Sequence, residues 1–141
     1  MEKLHSLIDV EALDFVIMNH AEPDHTNAIK TVMDISSEAK LVTAQKGAKM
    51  AQVFYKIPEQ RLVIVKNGDT LELGCKTLCF IEAPWLHWPE TMFTYVQENL
   101  LSAQFGQNII SKRANKIVGG ITSPSFKFLQ LREYRCLPHP V

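Results

Sequence analysis

The sequence is poor in the features that mark several protein classes. Its three cysteines, Cys75, Cys79 and Cys136, are odd in number and form no Cys-x-x-Cys pair. No disulfide framework or paired-thiol zinc motif can be read from them. Cys75 and Cys79 are four apart and would share one side of an extended strand. That leaves metal ligation open, but reduced cysteines used as small apolar side chains are favoured. No apolar run reaches the ~18 residues of a membrane span. Residues 1–9 include Glu2 and Asp9 and lack the apolar stretch of a secretory signal, so a cytoplasmic protein is expected. A dense basic run is also missing. The formal net charge of zero hides an asymmetry: residues 1–108 carry 9 Lys and Arg against 14 Asp and Glu, a net of −5, and residues 109–141 carry 6 against 1, a net of +5. The basic residues of the tail (Lys112, Arg113, Lys116, Lys127, Arg132 and Arg135) are scattered, which disfavours nucleic-acid binding.

What is there is an ordinary globular composition, 46% apolar and 21% charged over 141 residues, enough for one domain with a real core. Residues 1–13 place Leu4, Leu7 and Ile8 among charges at helical spacing and predict a short helix and connector. Phe15-Val16-Ile17-Met18 is a continuous apolar run, the pattern of a strand buried on both faces. Thr26 is placed to cap a helix running to about Ile35. Further strands are expected at Leu41–Thr43, Arg61–Lys66 (the latter buried), Lys76–Glu82 and Thr91–Val96. A helix over Gly47–Lys56 carries Met50, Val53 and Phe54. Asn67-Gly68-Asp69 and Gly74 punctuate the second half as turns. Strands alternating with helices, then a hairpin region, predict a layered α/β fold. Beyond Gln107 the pattern weakens, and a loosely structured tail is expected.

The chemistry concentrates at Asn19–Thr26. His20, Glu22, Asp24 and His25 put two imidazoles and two carboxylates within six residues, directly after a buried strand. Loops at the carboxyl ends of such strands are where sites collect, and this mixture suits iron, manganese or zinc. If the backbone is extended, His20, Glu22 and Asp24 point the same way while His25 diverges, so one loop could serve two metals. Pro23 would stiffen it. His87, in Ala-Pro-Trp-Leu-His-Trp-Pro-Glu, again follows a strand. Alone, a histidine between Trp85 and Trp88 reads as a packed core residue. With His20 and Glu22 it makes the two-histidine, one-carboxylate set of non-haem ferrous iron.

These segments resemble a known family. Asp14–His25, Val65–Leu71 and Glu82–Tyr95 are similar to stretches of flavodiiron proteins, flavoproteins that reduce oxygen or nitric oxide on a metallo-β-lactamase-like domain, and the 61 residues between His25 and His87 fit that family's spacing. The likeness covers about Asp9 to Gln107. It implies an α/β fold, an incomplete metallo-β-lactamase-like αββα sandwich. It implies that His20, Glu22 and His87 bind one iron and that Asp24 and His25 bind the second. It further implies FMN on a separate flavodoxin-like domain, O2 or NO as substrate, and an electron donor such as rubredoxin. The sequence departs from the pattern where a bridging aspartate is expected: Ser102-Ala103-Gln104-Phe105-Gly106 has no carboxylate, Glu98 is out of position, and the sole later histidine, His139, lies between prolines. The expectation is therefore a partial diiron domain over residues 1–108 and a divergent basic tail over 109–141. Such a truncated product would hold at most one tight metal, tend to self-associate, and be inactive alone. Rival expectations are a non-enzymatic fragment, or a zinc hydrolase of the metallo-β-lactamase type, which Glu22 disfavours because zinc would better suit a third histidine.

Overall fold

Alternation along the first two strands sets the layers. β1 (Phe15–Ile17) is buried throughout. Phe15 and Ile17 enter one apolar cluster, whereas Val16 and the following Met18 enter another. β2 (Lys40–Ala44) divides likewise, with Leu41 on one side and Val42 and Ala44 on the other. A strand that feeds two cores must lie between two layers. In the computed structural model, which describes residues 8–74 and 76–97 together with the strands at 101–103, 109–112, 116–119 and 133–134, those layers are a pair of helices on one face and a second sheet on the other.

The helices are α1 (Pro23–Ile35) and α2 (Gln45–Tyr55). Their buried residues Ile29, Val32, Met33, Ala51 and Tyr55 pack on Val16, Met18 and Leu41. β3 (Leu62–Val65) extends the sheet in parallel from β2, with Leu41 opposite Leu62. Later in the chain come β4 (Thr70–Glu72), β5 (Thr77–Glu82), β6 (Met92–Val96) and β7 (Leu101–Ala103), followed by β8 (Ile109–Lys112), β9 (Lys116–Gly119) and β10 (Glu133–Tyr134). The six-stranded sheet runs β10-β9-β8-β1-β2-β3, and the four-stranded sheet β4-β5-β6-β7. Leu78, Phe80, Met92 and Val96 face Ile17 and Val42 across the two sheets. Each such side chain contributes about 1.5–3 kcal/mol by leaving water, which holds β5 and β6 to strict in-out alternation at their buried positions.

Several elements differ from expectation for physical reasons. Of residues 1–13, residues 1–7 lie outside the described residues, and Val10–Ala12 is a single 3-10 turn. α1 begins at Pro23, three residues before the expected cap at Thr26. Proline at the first helical position forfeits no hydrogen bond and its fixed φ suits the helix. Thr26 instead sits inside the first turn, its hydroxyl donating to the Glu22 carbonyl at 2.9 Å. β3 is only partly buried: Val65 enters the core at 6% exposure, but Leu62 and Val63 are half-buried and Ile64 is 42% exposed, because β3 ends the sheet. Of the stretch after Gln107, read from the sequence as loosely structured, residues 109–112, 116–119 and 133–134 form strands, and β8 pairs antiparallel with β1. The rest of that stretch, and Cys75, lie outside the described residues. Among the described residues no helix is long and apolar enough to cross a membrane.

Candidate metal centre

Two loops meet at the carboxyl end of β1. The first, Met18–Glu22, is tied down by main-chain and side-chain bonds. Met18 N–H donates to Val42 O at 2.9 Å, and the Thr43 hydroxyl donates to Met18 O at 2.9 Å. The Tyr55 hydroxyl donates to Ala21 O at 3.3 Å and also pairs with the Thr26 hydroxyl. Asn19, 1% exposed, joins this loop to the second sheet. Its carbonyl accepts from Met92 N–H at 2.9 Å, and its side-chain oxygen accepts from the Thr94 hydroxyl at 2.6 Å. Those two bonds bring the start of β6, and the loop before it, against His20.

The second loop, residues 83–91, is closed on itself. Ala83 N–H donates to Thr91 O at 2.9 Å, Trp85 N–H to Trp88 O at 3.0 Å, and Trp88 N–H to the Thr91 side-chain oxygen at 3.0 Å. Trp85 adopts φ +67°, a conformation that costs a bulky residue about 1–3 kcal/mol and persists only where the surroundings impose it. Here the loop bonds impose it, and the Lys46 ammonium lies 5.3 Å from the centre of the exposed Trp85 ring. The loop turns His87 back toward β1.

The result is a convergence of nitrogen and oxygen donors. Glu22 Oε2 lies 3.0 Å from His20 Nε2 and 3.2 Å from His87 Nε2. The imidazole rings are 4.9 Å apart, and Trp88 stands edge-on to His20 at 5.4 Å. One ligand atom from each of His20, Glu22 and His87 falls within 4.8 Å of the others. Burial is graded: His20 is 1% exposed, the Glu22 side chain 30% and the His87 side chain 50%. The centre is thus anchored on a buried imidazole and opens toward solvent on the His87 side. Two imidazole nitrogens and a carboxylate oxygen that converge in this way fit a first-row divalent metal, ferrous iron among them.

Asp24 stands apart from this group. The extended stretch that would aim Asp24 alongside His20 and Glu22 does not form, because Pro23 starts α1 and Asp24 falls on its exposed first turn. Asp24 is not in the cluster. His25 is the third residue of α1, and its side chain lies outside the described residues, as do Glu98 and His139. His87 is half-exposed rather than packed in the core. The sequence reading missed Glu90, which is 2% exposed. One of its oxygens is 2.9 Å from His20 Nδ1 and accepts from Ala21 N–H at 2.9 Å. Nothing in the local pattern marks it beyond its place three residues after His87.

A family profile described as "ODP family beta lactamase" matches residues 1–128. The chain belongs to this family. Among curated relatives of this ODP-family chain, a nitric oxide reductase from Moorella thermoacetica is 38% identical over 110 residues, which are 76% of this chain and 28% of the relative. Among solved structures, the flavodiiron protein from Giardia intestinalis superposes with a TM-score of 0.67 at 31% identity, over 72% of this chain and 25% of that one. Rubredoxin:oxygen oxidoreductase from Desulfovibrio gigas superposes with a TM-score of 0.62 at 29% identity, over 67% of this chain and 24% of that one. The likeness to flavodiiron proteins drawn from His20-x-Glu22-x-Asp24-His25 therefore holds, as does the incomplete metallo-β-lactamase-like fold. This ODP-family chain spans about a quarter of the length of the relatives it matches. The family match runs twenty residues past 108, consistent with β8 and β9 lying in the sheet beside β1.

Proposed function

We propose that this chain supplies the metal-binding part of a flavodiiron-type oxidoreductase, with one iron held by His20, Glu22 and His87. The observation that carries the proposal is the approach of Glu22 Oε2 to within 3.0 and 3.2 Å of the imidazole nitrogens of His20, on its own loop, and of His87, 65 residues further along the chain than Glu22. Iron, when bound, supplies the binding and reduction of O2 or NO. His20 provides a rigid buried donor, and Glu22 offsets the positive charge. His87 closes the set from the opposite loop and leaves the solvent side open, as a facial two-histidine, one-carboxylate set requires. Asp24 and His25 are assigned to a second metal by family resemblance alone. Without a carboxylate in Ser102–Gly106 that position is weak, so the chain alone is not an active reductase. Electrons would come from FMN on a flavodoxin-like domain and from a donor such as rubredoxin, neither of which residues 1–108 provide. A cytoplasmic location and self-association through the open sheet edge complete the reading.

Metal content tests it. After anaerobic loading with ferrous iron and desalting, the chain should retain about one equivalent, because a site preformed by the fold binds without further ordering. His87→Ala should abolish retention and Asp24→Ala should leave it unchanged. Retention of two equivalents, both lost in Asp24→Ala, or of none in the unmodified chain, would refute the assignment.

A further inference from the structure

We propose that Glu90 is a positioning residue of this centre: a buried carboxylate that fixes the tautomer and orientation of His20 before any cation arrives, and whose burial is compensated only once the cation is in place. Three observations support it. Glu90 follows Pro89 and precedes Thr91, whose hydroxyl and main chain clamp the 83–91 loop. Met92 N–H is bonded to Asn19 O two residues further on. The base of the Glu90 side chain is therefore held on both sides. Its Oε1 sits 2.9 Å from His20 Nδ1 and takes the Ala21 N–H at the same distance, so it engages the residue that ligates and the main chain next to it. Its Oε2 is buried with no hydrogen-bond partner among the described residues.

The tautomer follows from the inventory of donors. A carboxylate only accepts. The proton of a neutral His20 therefore resides on Nδ1, pointing at Glu90, and Nε2 presents its lone pair toward Glu22 Oε2 at 3.0 Å. Without a cation, that leaves two acceptors facing each other on one side of the ring and a half-satisfied carboxylate on the other. Both are unfavourable in a water-poor interior. A divalent cation held by Nε2 and Glu22 would relieve the first directly, and by polarising the imidazole it would make Nδ1–H a stronger donor to Glu90 Oε1, which offsets part of the cost of burying that carboxylate. Had the fold needed only a filler at this place, an apolar side chain of similar volume would serve at lower cost. Glu90 is thus expected to lower the stability of the metal-free chain and raise that of the loaded one. The tautomer claim stands on the Glu90 contacts alone. The compensation claim rests on the metal reading above.

The test compares the full chain with Glu90→Gln, which keeps the shape and an acceptor but loses the charge, and Glu90→Leu, which loses both. In metal-free protein labelled with 15N-histidine, NMR should report His20 protonated at Nδ1 in the wild type and in Glu90→Gln, and no such preference in Glu90→Leu. Metal-free Glu90→Gln should unfold at a higher temperature than wild type. Co2+ affinity should fall about 10- to 100-fold in Glu90→Leu and by an intermediate factor in Glu90→Gln, the range typical for loss of an outer partner of a ligating histidine. His20 protonated at Nε2 in the metal-free wild type overturns the positioning role. A lower unfolding temperature for Glu90→Gln, or Co2+ affinity unchanged in both variants, overturns the compensation. If wild type binds no Co2+ while His20 still carries its proton on Nδ1, the metal reading and the compensation fall and the positioning role stands. If Glu90→Leu does not fold, Glu90→Gln still decides both points.

Discussion

Arg61 does at the residue scale what no residue of α1 does for itself. α1 has no basic residue in its last turn, so no opposing charge of its own faces its final carbonyls. The Arg61 guanidinium supplies that charge from outside, donating to Met33 O at 2.8 Å and, in the turn that follows α1, to Ser36 O at 2.5 Å and Ala39 O at 2.8 and 2.9 Å. Arg61→Ala should cost about 3 kcal/mol, since it strands part-buried carbonyls that a charged donor had satisfied. Urea unfolding checks this, with an earlier midpoint at unchanged slope expected. Arg61→Lys should recover little, because an ammonium cannot reproduce the planar fork. An unchanged midpoint would mean water replaces the guanidinium at no cost. Residue identity marked His20, Glu22 and His87 as candidate ligands, because the chemistry of imidazole and carboxylate is intrinsic, and the fold brings the three together. No such mark was legible for Arg61 or Glu90, whose importance lies in what they face.

At the scale of elements, α2 was recognised from its spacing, yet two of the three apolar residues that marked it do not face the core. Val53 and Phe54 are 61% and 54% exposed, while Met50 packs partly against the core and Gly47, Ala48, Ala51 and Tyr55 are buried. In the first turn of α2, close approach to the sheet selects small side chains. Gly47 sits so near β2 that an added Cβ would lie 2.3 Å from the Thr43 side-chain oxygen and 3.3 Å from Met18 Cε. Helix propensity favours alanine over glycine by about 1 kcal/mol, but overpacking costs about 1–3 kcal/mol. Gly47→Ala is therefore expected to destabilise. Because Thr43 also bonds Met18 O, the shift should reach the loop bearing His20. Thermal unfolding and metal retention measured together test this; a more stable variant with intact retention would show that the sheet yields. α1 gives a second case: its start was misplaced because Thr26 is a plausible cap in isolation, whereas Pro23 at the first helical position determines the boundary.

At the scale of the whole molecule, the described residues form a helical layer, a six-stranded sheet and a four-stranded sheet. The outermost strand beside β2 is β3, with Ile64 42% exposed on it. Among the described residues β3 pairs on one side alone, and such an apolar edge is a template for another chain. Ile64→Lys should shift the elution profile toward monomer at high protein concentration, with stability changed by no more than about 0.5 kcal/mol, as for other surface substitutions. Monomeric elution of the wild type at the same concentration would remove the edge as an association site.

What the sequence determined by itself was local. The buried strand at Phe15–Ile17, the existence of two helices, the turns at Gly68 and Gly74 and the metal-compatible side chains all follow from neighbouring residues and their period. The tertiary structure decided which of those side chains meet. Asn19 draws β6 to the end of β1 through its carbonyl and side chain, and that register brings His87 to Glu22 and Glu90 to His20. Pro23 turns Asp24 onto a helix and away from them. Pairing of β8 with β1 takes part of an apparently patternless tail into the sheet. Convergence of this kind depends on hydrogen bonds between segments some seventy residues apart, and no local pattern encodes it.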